Sequence, residues 1–298
     1  MSRSPRRPAE LRRRIFRGSE VRRLGLLTAS DLRSTGWHRL FRDVYADADI
    51  PLTHEVRAWA AGRYAIPAGA AIAGRSAAAL HGAGLIATEE PVEVLSIRDF
   101  GPVKGLEIHR GPLPPSQVVA LRGGVRVTTP LRTGWDLGRW QPAEEAVAHL
   151  DVLLARGVLR TPELTAYVAA QQGEPGWRRV SETVALADPA AESPQESRLR
   201  VRLVRAGLPV PVAQFVLADE GRFVARFALA WPGSQVAVEY DGVWHATREQ
   251  LERDRARLNG VLGAGWTVIH VTAARMRDDF PGIVREVRAA LTVRANLW

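Results

Sequence analysis

Two carboxylates and an imidazole, Glu239, Asp241 and His245, fall within seven residues at the end of the apolar run Val236-Ala237-Val238. Side chains alternate along a strand, so Glu239 and Asp241 share one face and Val238 and Tyr240 the other. Carboxylate oxygens suit a hard divalent cation, and a histidine beside them can take a proton near neutral pH. The run reads as equipment for metal-assisted hydrolysis of a phosphodiester. The preceding run, Arg226-Phe227-Ala228-Leu229-Ala230-Trp231, joins it through Pro232-Gly233-Ser234. Alternation puts Phe227, Leu229 and Trp231 on one face and Arg226, Ala228 and Ala230 on the other. The short turn then brings Ala228 close to Glu239, with the register open by one residue. An alanine there offers no oxygen.

These residues need a frame, and the surrounding pattern supplies one. Residues 195–206 carry Leu199, Leu203 and Val204 as a helical stripe, with Gly207 at the C-terminal cap position. Strands follow at 212–217, 222–231 and 235–241, then a charged helix at about 248–262, a strand at 266–271 and a helix from about 280 to 291. His270, on the last strand, reads as structural. Upstream, two prolines among small residues at 187–194 read as a linker.

The first two dozen residues hold nine arginines and read as a solvated basic arm, with phosphate contact as the sharper alternative. Val21, Leu24 and Leu27 fall at helical spacing, Thr28 to Asp31 caps a second helix, and a hairpin across 37–46 follows. Two short helices and a two-stranded ribbon outline a winged helix. The middle mixes helices and strands. His81 and His109 there read as packed or surface residues, because no second ligand stands beside either. The expected class is α/β (α+β): a basic arm and winged helix over 1–52, a mixed middle domain over 53–186, the linker 187–194, and a C-terminal domain over 195–298.

At 298 residues and 46% hydrophobic content, the chain can bury two cores. It has no cysteine, which excludes disulfides, thiolate catalysis and cysteine-ligated zinc. No run approaches the roughly 20 apolar residues that span a bilayer, and the N-terminus lacks a signal-peptide pattern, so a cytoplasmic location is expected. The net charge of +9 suits a polyanion such as DNA. Lys104 is the only lysine, however, and a GC-rich coding bias would also give this arginine-rich composition. Charge alone does not decide the partner.

Ser76-Ala77-Ala78-Ala79-Leu80-His81-Gly82 and Thr128-Thr129-Pro130-Leu131-Arg132-Thr133 resemble segments of abortive-infection-type antitoxins, in which a winged helix precedes a middle domain. The C-terminal order of helix, three strands, helix and strand resembles the PD-(D/E)XK nuclease fold. More narrowly, Glu196-Ser197-Arg198-Leu199-Arg200, Ala230-Trp231-Pro232, Val238-Glu239-Tyr240-Asp241-Gly242 with His245, Asp254 to Asn259, and Gly265 to Ile269 resemble very-short-patch-repair-type endonucleases. That resemblance implies cleavage of DNA with Mg²⁺ (or Mn²⁺). It implies Glu239 as a metal ligand and Glu196 as a supporting acid. Asp241 stands where many members have lysine, which leaves His245 as the candidate general base; if His245 is not the base, Asp241 helps to orient it. Trp244, Arg253 and Arg257 are candidate DNA contacts, as is Arg39 in the N-terminal hairpin; a core or edge position for Trp244 and a structural Asp254–Arg257 pair one turn apart are the alternatives.

The resembled strand reads Arg-x-Asp-x-x-Trp, and this chain has Arg226, Ala228 and Trp231 in those places. Either a lineage has lost catalysis, or Ala228 replaces a native aspartate. Retention of Glu196, Glu239, Asp241 and His245 favours replacement. The leading expectation is a DNA endonuclease impaired by Ala228. The alternative is a non-catalytic DNA-binding regulator or antitoxin. A protein partner for the N-terminal region is a third possibility, and the sequence leaves the oligomeric state open.

Overall fold

Short apolar runs bounded by glycine and proline become strands, and the chain is an α+β protein. The structure, a computed structural model, describes residues 5–219, 221–241, 260–261 and 263–295. Contacts divide the chain into two units, Met1–Trp140 with Val158–Pro175, and Gln141–Gly157 with Gly176–Trp298. Among the described residues, no helix is long and apolar enough to cross a membrane.

The first unit begins with strands β1 (Ile15–Arg17), β2 (Trp37–Phe41) and β3 (Val44–Asp47), in the antiparallel order β1-β3-β2. Their core is Leu11, Phe16, Val21, Leu27, Leu32 and Trp37. Helix α1 (Gly18–Arg23) is followed only by a 3₁₀ turn at Asp31–Arg33 where a second regular helix was expected. Thr28 and Asp31 bond each other's backbone and side chains across that single turn, and the chain enters β2 soon after. From Pro5 onward the basic arm is held against this sheet rather than left as a tail. Arg7 pairs with Asp47 and Asp49, and the Arg13 N–H donates to Asp47. Burial would raise the Asp47 carboxyl, but those N–H donors and Arg7 hold it below the ordinary range.

The same unit holds a five-stranded sheet, β6 (Leu106–Arg110), β5 (Val92–Ser96), β4 (Ala71–Ile72), β8 (Val125–Thr128) and β7 (Val118–Leu121), in that order. Helices α2 (His54–Ala60), α3 (Gly74–Leu80) and α4 (Pro130–Trp140) accompany it. The two segments that carry the antitoxin resemblance are bonded to each other. The His81 ring nitrogen Nε2 lies 2.8 Å from the Thr128 carbonyl, and the Thr128 and Thr133 hydroxyls are 2.7 Å apart. Arg132 and Asp136 form a buried pair at 2.8 Å one turn apart on α4.

Helix α6 (Thr161–Ala169) belongs to the first unit; in the second, α5 (Ala143–Ala155), α7 (Trp177–Ala185) and α8 (Pro194–Arg205) precede β9 (Val212–Asp219), β10 (Arg222–Trp231), β11 (Val236–Asp241) and β12 (Thr267–Thr272). The sheet order is β12-β11-β10-β9, with β9, β10 and β11 an antiparallel meander and β12 parallel to β11. Leu199 and Leu203 of α8 and Ile283 and Val287 of the C-terminal helix (Phe280–Ala295) pack on Leu229, Val238 and Ile269.

The stretch 187–194 does not divide the units as the linker reading required. Arg200 of α8 donates to Asp151 of α5 at 2.7 Å, and the Asp188 N–H donates to the same carboxylate at 2.7 Å. Both side chains of that ion pair are buried, so α5, 187–194 and α8 belong to one core. Residues 141–157 and 176–186, expected in the middle domain, lie in the second unit.

Candidate functional site

Strand pairing assembles the candidate site. Leu229 pairs with Val238, Ala230 with Ala237 and Trp231 with Val236, so the register continued by one residue sets Ala228 opposite Glu239. On the far side, Glu239 pairs with His270 and Asp241 with Thr272. Ala228, Glu239 and His270 therefore form one row across three strands. Val238 and Tyr240 pack toward Leu199, which leaves Glu239 and Asp241 on the opposite face, as alternation requires. Ala228 itself is buried.

Alternation fails at one point in the preceding strand. Phe227 joins Ala230, Ala237 and Trp266 in a separate core, instead of the cluster holding Leu229 and Trp231. Its ring lies 5.0 Å from that of Trp266. The irregularity sits beside Gln214 of β9, whose φ of 51° departs from extended backbone. The ladder pairs Phe227 with Phe215 and Leu229 with Ala213, which places Gln214 next to Ala228.

Gln214 links this row to Glu196. Its Nε2 donates to Glu196 Oε2 at 2.7 Å. Glu196 is otherwise part of a capping box at the start of α8: its N–H donates to Ser193 Oγ at 3.2 Å, and that hydroxyl donates to Glu196 Oε1 at 2.8 Å. The Glu192 N–H adds a third donor to the carboxylate at 3.3 Å. The sequence motif assigned Glu196 a supporting role near the site, and the structure ties it to the strand beside Ala228 through Gln214.

His270, read from the sequence as structural, stands beside Asp241. Its Nδ1 lies 3.1 Å from Asp241 Oδ1, and both side chains are 41% exposed. Asp241 is thus bonded to an imidazole on the neighbouring strand. Only the parallel pairing of β11 with β12 brings them together, and no local motif announces that pairing. The Arg275 guanidinium bonds the His270 carbonyl at 3.2 Å and Glu286 at 2.7 Å, holding the end of β12. His245, Trp244, Arg253 and Arg257 lie outside the described residues. Arg39 is exposed on β2 in the other unit, its Nε directed to the Phe41 carbonyl at 3.4 Å.

The expected cation was to be held by Glu239, Glu196 and an aspartate at 228. Among the described residues, no group of three metal-ligating side chains converges. Ala228 supplies no oxygen, and the Glu196 carboxylate already accepts three hydrogen bonds. The described residues of this chain do not make up that ligand set.

Two uncharacterized proteins of Mycobacterium tuberculosis, from the CDC 1551 / Oshkosh and H37Rv strains, are each 31% identical to this chain over 182 residues. The match covers 61% of this chain and 66% of each relative. No protein-family model matches, and no solved structure gives a significant match.

Proposed function

We propose that this chain belongs, by function, to the metal-dependent DNA endonucleases, and that Ala228 leaves its second unit catalytically impaired. The observation that carries this reading is the row Ala228, Glu239, His270, with Asp241 on the same face. The helix, antiparallel meander and parallel fourth strand supply the frame in which such a row serves phosphodiester hydrolysis. An aspartate at 228 would set a carboxylate beside Glu239, giving Mg²⁺ or Mn²⁺ two adjacent oxygen donors. With alanine there, no hydrolytic step is derived for the chain as it stands.

The test is cleavage of duplex, single-stranded, mismatched and deaminated DNA by the chain and by Ala228→Asp, each with Mg²⁺ or Mn²⁺. The expected result is cleavage by the substituted protein alone, abolished by chelation. If Ala228→Asp cuts none of these substrates, the endonuclease reading fails.

The second reading, a DNA-binding regulator in which the sheet is a retired platform, draws on Ala228 and on the three hydrogen bonds that occupy Glu196. DNA binding that survives in an Ala228→Asp protein unable to cut would select it.

A further inference from the structure

We infer that the first unit carries a phosphate-contacting surface for duplex DNA, built from Arg17, Arg63 and Arg122 around the Trp59–Tyr64 pair. It is independent of the reading of the second unit. Helix α2 continues into a π-helical turn at Ala61–Ala65, an arrangement often found at functional positions. Gly62 lets this turn pack closely on β8: a Cβ there would fall 2.5 Å from Val125 Cγ1.

The turn places the Arg63 guanidinium over the Tyr64 ring at 5.6 Å, while Arg17 from β1 lies over the same ring at 5.9 Å. An Arg17 N–H donates to the Tyr64 carbonyl at 2.7 Å, and the Tyr64 hydroxyl donates to the Ile15 carbonyl at 3.0 Å. Trp59 packs edge-on against Tyr64 at 6.1 Å and donates its indole N–H to the Arg122 carbonyl at 3.1 Å. The aromatic pair thus fixes the backbone or side chains of all three arginines.

All three arginines are exposed, and among the described residues none of them forms an ion pair. The carboxylates on the adjoining strands bond other groups. Asp43, at the turn before β3, accepts from the Ser19 N–H and hydroxyl, while Asp47 and Asp49 take Arg7. Residues 5–50 hold eleven arginines against six carboxylates. Exposed cations that form no ion pair favour a partner that brings its own regular negative charge. Tyr64 lies under two guanidinium groups and is tied through its hydroxyl, so base stacking on it is not the mode. The contact is to phosphates, and it carries no sequence preference.

The experiment is fluorescence anisotropy of labelled duplex DNA of two unrelated sequences, titrated with the full chain across a range of KCl concentrations. Two variants are compared with the parent: Arg17→Gln/Arg63→Gln/Arg122→Gln, and Arg63→Gln/Arg122→Gln. The second removes no side-chain hydrogen bond of the fold, and circular dichroism confirms that it is folded. The expected result is equal weakening on both sequences. The slope of log affinity against log salt should become shallower by about two in the double variant and about three in the triple. An unchanged slope in the folded double variant overturns the inference. So does failure of the parent to bind duplex DNA at low salt. Failure of Ala228→Asp to cleave leaves these outcomes unaffected, so the two readings fall separately.

Discussion

A buried histidine gives the first unit a pH dependence of predictable sign. His54 is almost wholly buried and its Nε2 lies 2.8 Å from Ser76 Oγ, which also accepts the Glu93 N–H. The hydroxyl and the ring thus share one buried hydrogen bond, and burial keeps the imidazole uncharged. Burial, and then the charge of Arg57, push the His54 pKa down to about 4. Unfolded, the same ring takes a proton near 6.5, so between these values the unfolded state binds more protons. Stability from this group is complete above about pH 6.5 and is lost as the pH falls toward 4, about 3 kcal/mol in all. Asp136 acts oppositely: burial pushes its carboxyl up to about 7, so its ionisation destabilises the fold as the pH rises. Comparing the chain with His54→Gln isolates the first effect. Urea denaturation at pH 7 and at pH 5 should show the parent losing about 2 kcal/mol more than the variant. At the candidate site, His270→Gln placed on Ala228→Asp should slow cleavage at least about tenfold if Asp241 orients that imidazole for proton transfer. An unchanged rate and pH profile would leave His270 a structural partner of Asp241.

Among elements, the pairing of α5 with α8 bears the greatest cost on disruption. Arg200 is buried, and Asp151 balances its charge. Asp151→Ala leaves that guanidinium uncompensated, and a loss of about 3–5 kcal/mol is expected in chemical denaturation. The capping box at the head of α8 is a smaller matter. Ser193→Ala removes the acceptor of the Glu196 N–H and the donor to its carboxylate, for a loss of about 1 kcal/mol. The two substitutions bracket the helix at both scales of interaction, and the difference between them should be visible in the same assay.

For the whole molecule, the division into units sets which pieces can stand alone. A fragment cut at the apparent linker, 187–298, keeps the sheet but loses α5, α7 and the partner of Arg200. It should melt at lower temperature than the second unit does in the full chain and bind a hydrophobic dye, as incompletely packed cores do. A fragment with native-like stability would show that α5 and α7 are dispensable to the sheet. The net charge of +9 acts at this scale too, favouring association with polyanions at low salt without choosing a sequence.

The sequence alone determined the α+β class, the hairpin of β10 and β11, and the shared face of Glu239 and Asp241. Those follow from a period of two residues, a short turn and one buried face, all of which are local. It also placed Ala228 near Glu239, leaving one residue of register for the structure to settle. Other features depend on residues far apart in the chain. His270 meets Asp241 only because β12 returns parallel to β11, and Arg200 meets Asp151 only because α8 packs on a helix some 50 residues earlier. Phe227 leaves its expected face where the backbone at Gln214 departs from extended geometry, an irregularity that alternation cannot express. Likewise, a turn stabilised by Thr28 and Asp31 has the start signal of a helix, but the chain turns extended at Ser34 after three helical residues. Local periodicity thus named the carboxylates, while long-range strand and helix pairing decided which side chains stand beside them.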